Sequence, residues 1–395
     1  MLILRSLRWP ALLAVLLLIG LLAGACRSEQ SQATPPPASL TDSAPASPTS
    51  DMAALPAVTA TPAPTATPTA APSPTVDIAA LTEGATLPAG VSPFTGLVVD
   101  DPKLLERMPA AVKISNSPIA RPQSGLSKAD VVIEHLAEGG ITRFTAIFHS
   151  QNAERIGSVR SARLIDLEIP VLFDAFLVYS GAHGEVNRQI EASDFGDRTL
   201  SDDRNDPGFY RLEIPGRAYE HTLFTDSELL QEVAKDKGWT TPPRYRGWQW
   251  SEQPPRLAQR ARSIAIPYSA EYSDVTYQYD STQGAYLRST LGEPHLDDLT
   301  GEQLAADNVA VLYVNHVPTL IVEDLLGSTS VQIQLWGEGR MQLFRDGVVQ
   351  EGKWLRPQRE DPLLFVDEAM QPLTLKPGNV WIEIVPLDMA VTSTP

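Results

Sequence analysis

The sequence predicts an α+β protein: a mixed α/β N-terminal domain and then a mainly β C-terminal domain, carried behind a disordered stalk. Three observations predict it. Residues 26–90 are dominated by Pro, Thr and Ala. Between 91 and 250, apolar strand patterns alternate with helix-start signals. From 255 to 388, short strand patterns recur almost alone.

Residues 1–25 open with Arg5 and Arg8 and continue as ALLAVLLLIGLLAGA. That run is shorter than the roughly 20 residues a spanning helix needs, and small residues close it, so it reads as an export signal. The sole cysteine, Cys26, follows at once in LLAGAC. This resembles a bacterial lipoprotein signal, in which the cysteine becomes the lipid-bearing first residue; the usual leucine falls one position early, at Leu22. The competing reading is an ordinary secretory signal followed by an incidental cysteine. Lipidation at Cys26 would anchor the exported chain to the outer face of the cytoplasmic membrane and leave no disulfide, so stability would rest on core burial.

The formal charge is −17, and losing Arg5 and Arg8 with the signal makes the mature chain more acidic. Nucleic-acid binding, which needs basic patches, is therefore not expected. Any anion site must concentrate positive charge locally. The stretch ATPTATPTAAPSPT typifies residues 26–90, which bury too little apolar surface to offset ordering entropy and read as an extended tether.

Order is expected from near Ser92. AAVKIS (110–115) reads as a strand. VVIEHLAE and ITRFTAIFHS read as a hairpin turning at Gly139-Gly140. A two-residue turn there would place Leu136 opposite Arg143 and His135 opposite Phe144, with His135 on an apolar core face. Arg143 would pair with Glu134 or Glu138 on the polar face. GSVRSARLIDLEIPVLF is expected to be helical in its middle and to end at Pro170. Asp174–Ser180 reads as a strand, followed by the loop Gly181-Ala182-His183-Gly184 and a helix from about Glu185. Thr225-Asp-Ser-Glu228 reads as a capping box opening a helix that stops at Gly238. In the second segment SIAIPYS, VTYQYD, AYLRST, NVAVLYV, VQIQLW and VWIEIVP read as strands, and Asp346-Gly347 as a hairpin turn. A helix or turn is expected at Thr300–Ala306.

Several stretches carry a resemblance. SPFTGL, ARPQSGLSKADVVIEHLAEGGITRF, IGSVRSAR, FYR and HTLFT, and then YDSTQGAYLR, PHLDDLTGEQLAADNVAVLYV and GKW…LTLKPGNVWIEIVP, resemble the YerB-like family of bacterial lipoproteins. The resemblance runs from about Ser92 to Pro386. It implies a two-part domain of unknown function on an exported, usually lipidated protein, and it supplies no reaction.

Four kinds of site are considered. Arg160 and Arg163, three apart, would share a helical face and hold a carboxylate or phosphate, with Gly181, His183 and Gly184 turning a strand into a helix N-terminus beside them. The structural alternative is that the arginines pair with Asp166 and Glu168. Catalysis would rest on His183, with Glu185, Ser180 and His221 around it, but no nucleophile motif accompanies them. The six histidines show no zinc spacing, and His295-Leu-Asp-Asp298 reads either as a cation ligand set or as a polar turn. Neither a metal nor a cofactor is expected. Tyr277, Tyr279, Tyr286, Trp336, Trp354 and Trp381 are either a binding platform or core fillers. The expected function is that of a lipid-anchored envelope factor that binds an anionic wall component or an envelope protein. The alternative is a hydrolase or transferase acting on wall polymers.

Overall fold

Runs such as FLVY, NVAVLYV and VWIEIV are apolar at odd and even positions alike, a pattern stable only in strands covered on both faces. A computed structural model describes residues 77–82, 87–256, 258–323 and 327–395. The export signal, Cys26 and most of the stalk lie outside the described residues. Within the last part of the stalk, Ile78–Thr82 forms a short helix. Its Ile78 and Leu81 pack against Leu355, Leu364 and Val366, so the expected extended stretch folds back before residue 90.

The strands used below are β1 (Ala110–Ser115), β2 (Val131–Leu136), β3 (Thr142–Phe148), β4 (Phe176–Tyr179), β5 (Thr199–Ser201), β6 (Ser263–Pro267), β7 (Asp274–Asp280), β8 (Ala285–Thr290), β9 (Asn308–Val314), β10 (His316–Val322), β11 (Thr329–Ile333), β12 (Gly337–Arg345), β13 (Val348–Arg356) and β14 (Val380–Pro386). The helices are α1 (Gly184–Glu191) and α2 (Ser227–Asp236). An 11-stranded sheet runs Gln259–Arg260, β13, β12, β9, β14, β2, β3, β1, β4, β5, with Leu364–Val366 beside β13. The last long strand, β14, lies between β9 and β2 and is parallel to both. Strands from before and after residue 250 thus form one sheet.

A 6-stranded sheet built on β8, β7 and β6 covers one face, with α2. Val112, Phe144, Phe176, Val309 and Trp381 of the large sheet meet Ile264, Val275, Tyr277 and Tyr286 there. The other face, with Ile133, Leu177, Leu312 and Ile382, packs against Val186 and Ile190 of α1 and against Ile165 and Ile169.

Four local expectations are corrected. The β2–β3 loop is a single 3-10 turn, Glu138–Gly140, with both glycines at positive φ, and Ala137 N–H bonds to Ile141 O. The extra loop residue shifts the register by one: His135 faces Arg143, and Glu134 faces Phe144. In GSVRSARLIDLEIPVLF the chain stays extended to Arg163 and then forms a 3-10 turn at Leu164–Leu167. Pro170 sits in the first turn of the short helix Ile169–Leu172, where its missing N–H is harmless, so it helps start that helix rather than end one. The cap of α2 is Asp226, whose side chain accepts from Leu229 N–H, not Thr225. The turn there ends at Thr300; Gln303 bridges Leu296 and Ala305–Ala306 pairs as a strand with β8, so most of Thr300–Ala306 is neither helix nor turn. The hairpin expectation agrees with the structure. Asp346 and Gly347 both take positive φ between β12 and β13, as a two-residue hairpin requires.

Candidate functional site

Strands β1, β2, β4, β5, β9 and β14 run parallel, so their carboxyl ends share one edge, where α/β sheets commonly hold ligands. β1 and β4 pair only as far as Val112 and Val178 and then part. The extended segment 158–162 fills the opening. Ser115 N–H donates to Ser158 O and Arg160 N–H to Lys113 O; on the other side Ser180 N–H donates to Arg160 O and Ala162 N–H to Gly181 O. The backbone of Arg160 is therefore held from both sides.

Beneath this wedge lies a polar cluster with no access to water. Lys113 Nζ is 2.6 Å from His135 Nε2, 2.9 Å from Thr145 Oγ1 and 2.8 Å from Asp166 Oδ2. His135 Nδ1 lies 2.9 Å from Leu136 O. A carbonyl only accepts, so Nδ1 carries the proton and Nε2 accepts from the ammonium. Burial pushes the Lys113 amine down, to about 8, with Asp166 opposing it. Burial, and then the Lys113 charge, hold His135 well below its usual range. The same Asp166 oxygen, Oδ2, also accepts Arg163 N–H at 2.7 Å, closing the 3-10 turn.

Around the rim, Glu138 bridges two arginines. Arg143 Nη2 lies 2.6 Å from Oε1, and Arg163 grips both oxygens, with Nε at 2.6 Å from Oε2. Burial would raise the Glu138 carboxyl, but the Arg163 hydrogen bonds and the two positive charges outweigh it and hold it at about 2. Arg163 also donates to Ala162 O, and Arg143 to Ser161 O. The expected acid partners, Asp166 and Glu168, are not those of the Arg163 side chain.

Arg160 differs. It is half-buried, and its guanidinium has no hydrogen bond or ion pair among the described residues. His221 is buried nearby with its Nδ1 unpartnered. Burial, and next the Arg160 charge, push its imidazole down, to about 4.

The residues proposed from sequence are only partly brought together. Arg160, Arg163 and Gly181 meet through the backbone wedge, but with no shared helical face, since the segment is extended. Gly181 has φ +153 and a Cβ there would strike the Asp203 carboxylate, so an acid already lies against that loop. His183 is exposed and caps α1, its Nδ1 accepting Glu185 N–H at 3.3 Å; Gly184 begins the helix. Glu185 pairs with Arg188. The helix end is thus served by its own side chains.

A second buried network occupies the opposite face of β2. Glu134 accepts from Asn116 (3.0 Å), Thr142 (2.5 Å) and Arg288 (2.5 Å). Arg288 also donates to His295 Nδ1, so the imidazole proton sits on Nε2 and is donated to Gln123 Oε1 at 2.5 Å. Glu383 lies beside Glu134 in the parallel register and accepts from Tyr268 (3.0 Å) and Tyr277 (2.5 Å). Burial, then the neighbouring Glu134, push its carboxyl up, to about 8. The His295-Leu-Asp-Asp298 turn is a clasp. Asp297 accepts Gly125 N–H (2.9 Å) and Ser127 N–H (2.7 Å), and Asp298 accepts from Ser124 and Arg155.

The sequence pattern did not single out Lys113, Arg288 or Glu383, and it placed Glu134 on a polar face beside Arg143, whereas Glu134 is buried and pairs with Arg288 while Arg143 pairs with Glu138. Arg288 lies in a strand with only one face buried; Lys113, Glu134 and Glu383 are ionisable residues inside strands buried on both faces, where an unpaired charge is prohibitively costly. That pattern was the signal for a buried partner. Tyr277, Tyr286, Trp354 and Trp381 are core residues, whereas Trp336 remains partly exposed.

Residues 94–240 match the model described as "Protein of unknown function (DUF3048) N-terminal domain", and residues 264–382 match its C-terminal domain. The chain is 34% identical over 305 residues to YerB of Bacillus subtilis (strain 168), whose name provisionally classes it as a lipoprotein. That match covers 76% of this chain and 88% of the relative. The crystal structure of YerB from Bacillus subtilis superposes with a TM-score of 0.65 at 32% identity, covering 77% of this chain and 99% of that one.

Two consequences concern stability. Asp166→Asn strands a buried ammonium and should cost about 3–5 kcal/mol in urea unfolding, and Lys113→Met with Asp166→Leu should recover most of the loss. Glu383 holds its proton in the fold up to about pH 8, whereas in the unfolded chain it ionises near 4.5. Its contribution is therefore fully present below pH 4.5 and lost as pH rises to 8. Between pH 5 and 8, wild type should lose stability relative to Glu383→Gln, by up to about 1.4 kcal/mol per pH unit. Parallel denaturation curves for the two proteins over that range would contradict the assignment.

Proposed function

Because the chain belongs to the YerB-like family built from the paired DUF3048 domains, we propose that it is a lipid-anchored extracytoplasmic binding or assembly factor of the cell envelope. It recognises a carboxylate or phosphate on a wall component or envelope partner through Arg160. One observation carries this reading. Of the three arginines at the carboxyl ends of β1, β2 and β4, Arg143 and Arg163 are neutralised by Glu138, while Arg160 is half-buried with no acceptor of its own among the described residues. A guanidinium fork held on a fixed backbone is suited to bidentate capture of such groups. His221, uncharged at neutral pH, offers a hydrogen-bonding ring beside it. His183, on which the enzymatic reading depended, is exposed and caps a surface helix by accepting Glu185 N–H.

Arg160→Ala should weaken binding of wall fragments or polyprenyl phosphates at least tenfold in thermal-shift titration, with the unliganded melting temperature nearly unchanged. Equal shifts for wild type and variant would remove the idea. Arg163→Ala is unsuitable for this test, because it releases Glu138 and disturbs the fold. For the anchor, labelled palmitate should enter the wild-type chain and not Cys26→Ala; label in the variant would rule out acylation at that cysteine.

A further inference from the structure

A separate cavity of about 320 Å³ opens where the Arg121–Pro122 loop meets the end of β8. Its volume lies at the lower end of the ~300–1,000 Å³ of small-molecule sites. Pro122, Leu291, Pro294 and Leu296 give it apolar walls, and Arg121, Thr290 and His295 supply its polar atoms. Glu293 borders it and is exposed.

On the polar side of this cavity Arg121 makes no ion pair among the described residues. Arg288 and Glu134 neutralise one another, and His295 is held as a neutral tautomer between Arg288 and Gln123. Arg121 bonds only to neutral oxygens: Nε to Asn116 Oδ1 at 3.1 Å, and Nη2 to Asn116 O and Tyr272 O at 2.9 and 2.6 Å. Its Nη1 has no hydrogen bond among the described residues. Thr290 is 6% exposed, and its hydroxyl has no partner among them. A half-buried cation beside apolar walls, with unfilled donors, matches a small amphipathic anion better than a neutral or cationic one.

We propose that this cavity binds a monocarboxylate with a branched apolar tail, its head on Arg121 Nη1 and its tail against Leu291, Pro294 and Leu296. The same chemistry is presented by a free branched acid and by a polypeptide C-terminus ending in an aliphatic residue. The Arg121 fork is already oriented by three bonds to neutral oxygens, so little is lost in ordering it on binding. The cavity joins loops from either side of residue 250, so an occupant would also bridge the two segments.

Calorimetric titration of the full-length chain in nanodiscs tests this with four probes: isovalerate, isovaleramide, N-acetyl-Ala-Leu and the C-terminal amide of that dipeptide. At least one acid should bind saturably at one site per chain, and its amide at least tenfold more weakly. A preference for the dipeptide identifies a polypeptide C-terminus as the occupant, and a preference for isovalerate a free acid. Arg121→Gln and Leu296→Glu should each weaken the acid at least tenfold. Leu296 is 41% exposed, so its variant decides the matter even if Arg121→Gln fails to fold. No saturable heat with either acid, equal affinity for acid and amide, or unchanged binding by Leu296→Glu would overturn the proposal.

Discussion

An ion pair sealed from water, Glu134 with Arg288, ties together elements far apart in the chain. Glu134 sits on β2, in the middle of the large sheet, and Arg288 on β8, in the sheet packed against it. The guanidinium carbon lies 5.4 Å from the Phe144 ring centre and 5.2 Å from that of Trp381. Such a charge is tolerable only beside its partner, and His295 takes a second donor, while Nε has no hydrogen-bond partner among the described residues. That requirement recruits His295, then Gln123, and through them the two loops that clasp one another. The close packing of the sheets and the seating of the 295–298 turn follow from one demand for electrical neutrality.

The adjacent residue, His135, points to the other face of β2 and belongs to the Lys113–Asp166 cluster. Consecutive strand residues face opposite ways, so a single dipeptide serves two buried networks. The first joins the sheet to its β layer. The second fixes the turn after Arg163 and, with it, the wedge that carries Arg160. The order in that rim region is therefore inherited from below: Asp166 holds Arg163 N–H, Glu138 holds the two neighbouring arginines, and Arg160 is left over.

Much of the fold was legible. Doubly apolar runs gave the inner strands, Asp346-Gly347 the β12–β13 hairpin, and the Gly-Gly pair a turn. The errors share a cause, since each concerned a choice that local sequence leaves nearly degenerate. A two-residue and a three-residue loop at Gly139-Gly140 differ little in isolation, and the buried pairing of Glu134 with Arg288 decides which is stable. Arg160 to Arg163 has acceptable helical propensity, but it was extended because β1 and β4 diverge and leave unpaired backbone groups that an extended segment satisfies. The candidate site was legible only in part. Arg160 was visible as a cation; that its neighbours would be consumed by Glu138 was not.

By itself the sequence determined the Pro/Thr/Ala composition that sets residues 26–90 apart from the foldable chain, the strand-rich character of that foldable part, and its acidic balance. These depend on composition and on periodicities of two and 3.6, which are properties of neighbours along the chain. Only the tertiary structure decided that β14 enters between β9 and β2, that the charges inside the strands find partners across layers, and that Arg160 and Arg121 keep free donors. Those outcomes depend on which distant groups remain to neutralise a buried charge, and no local pattern records that.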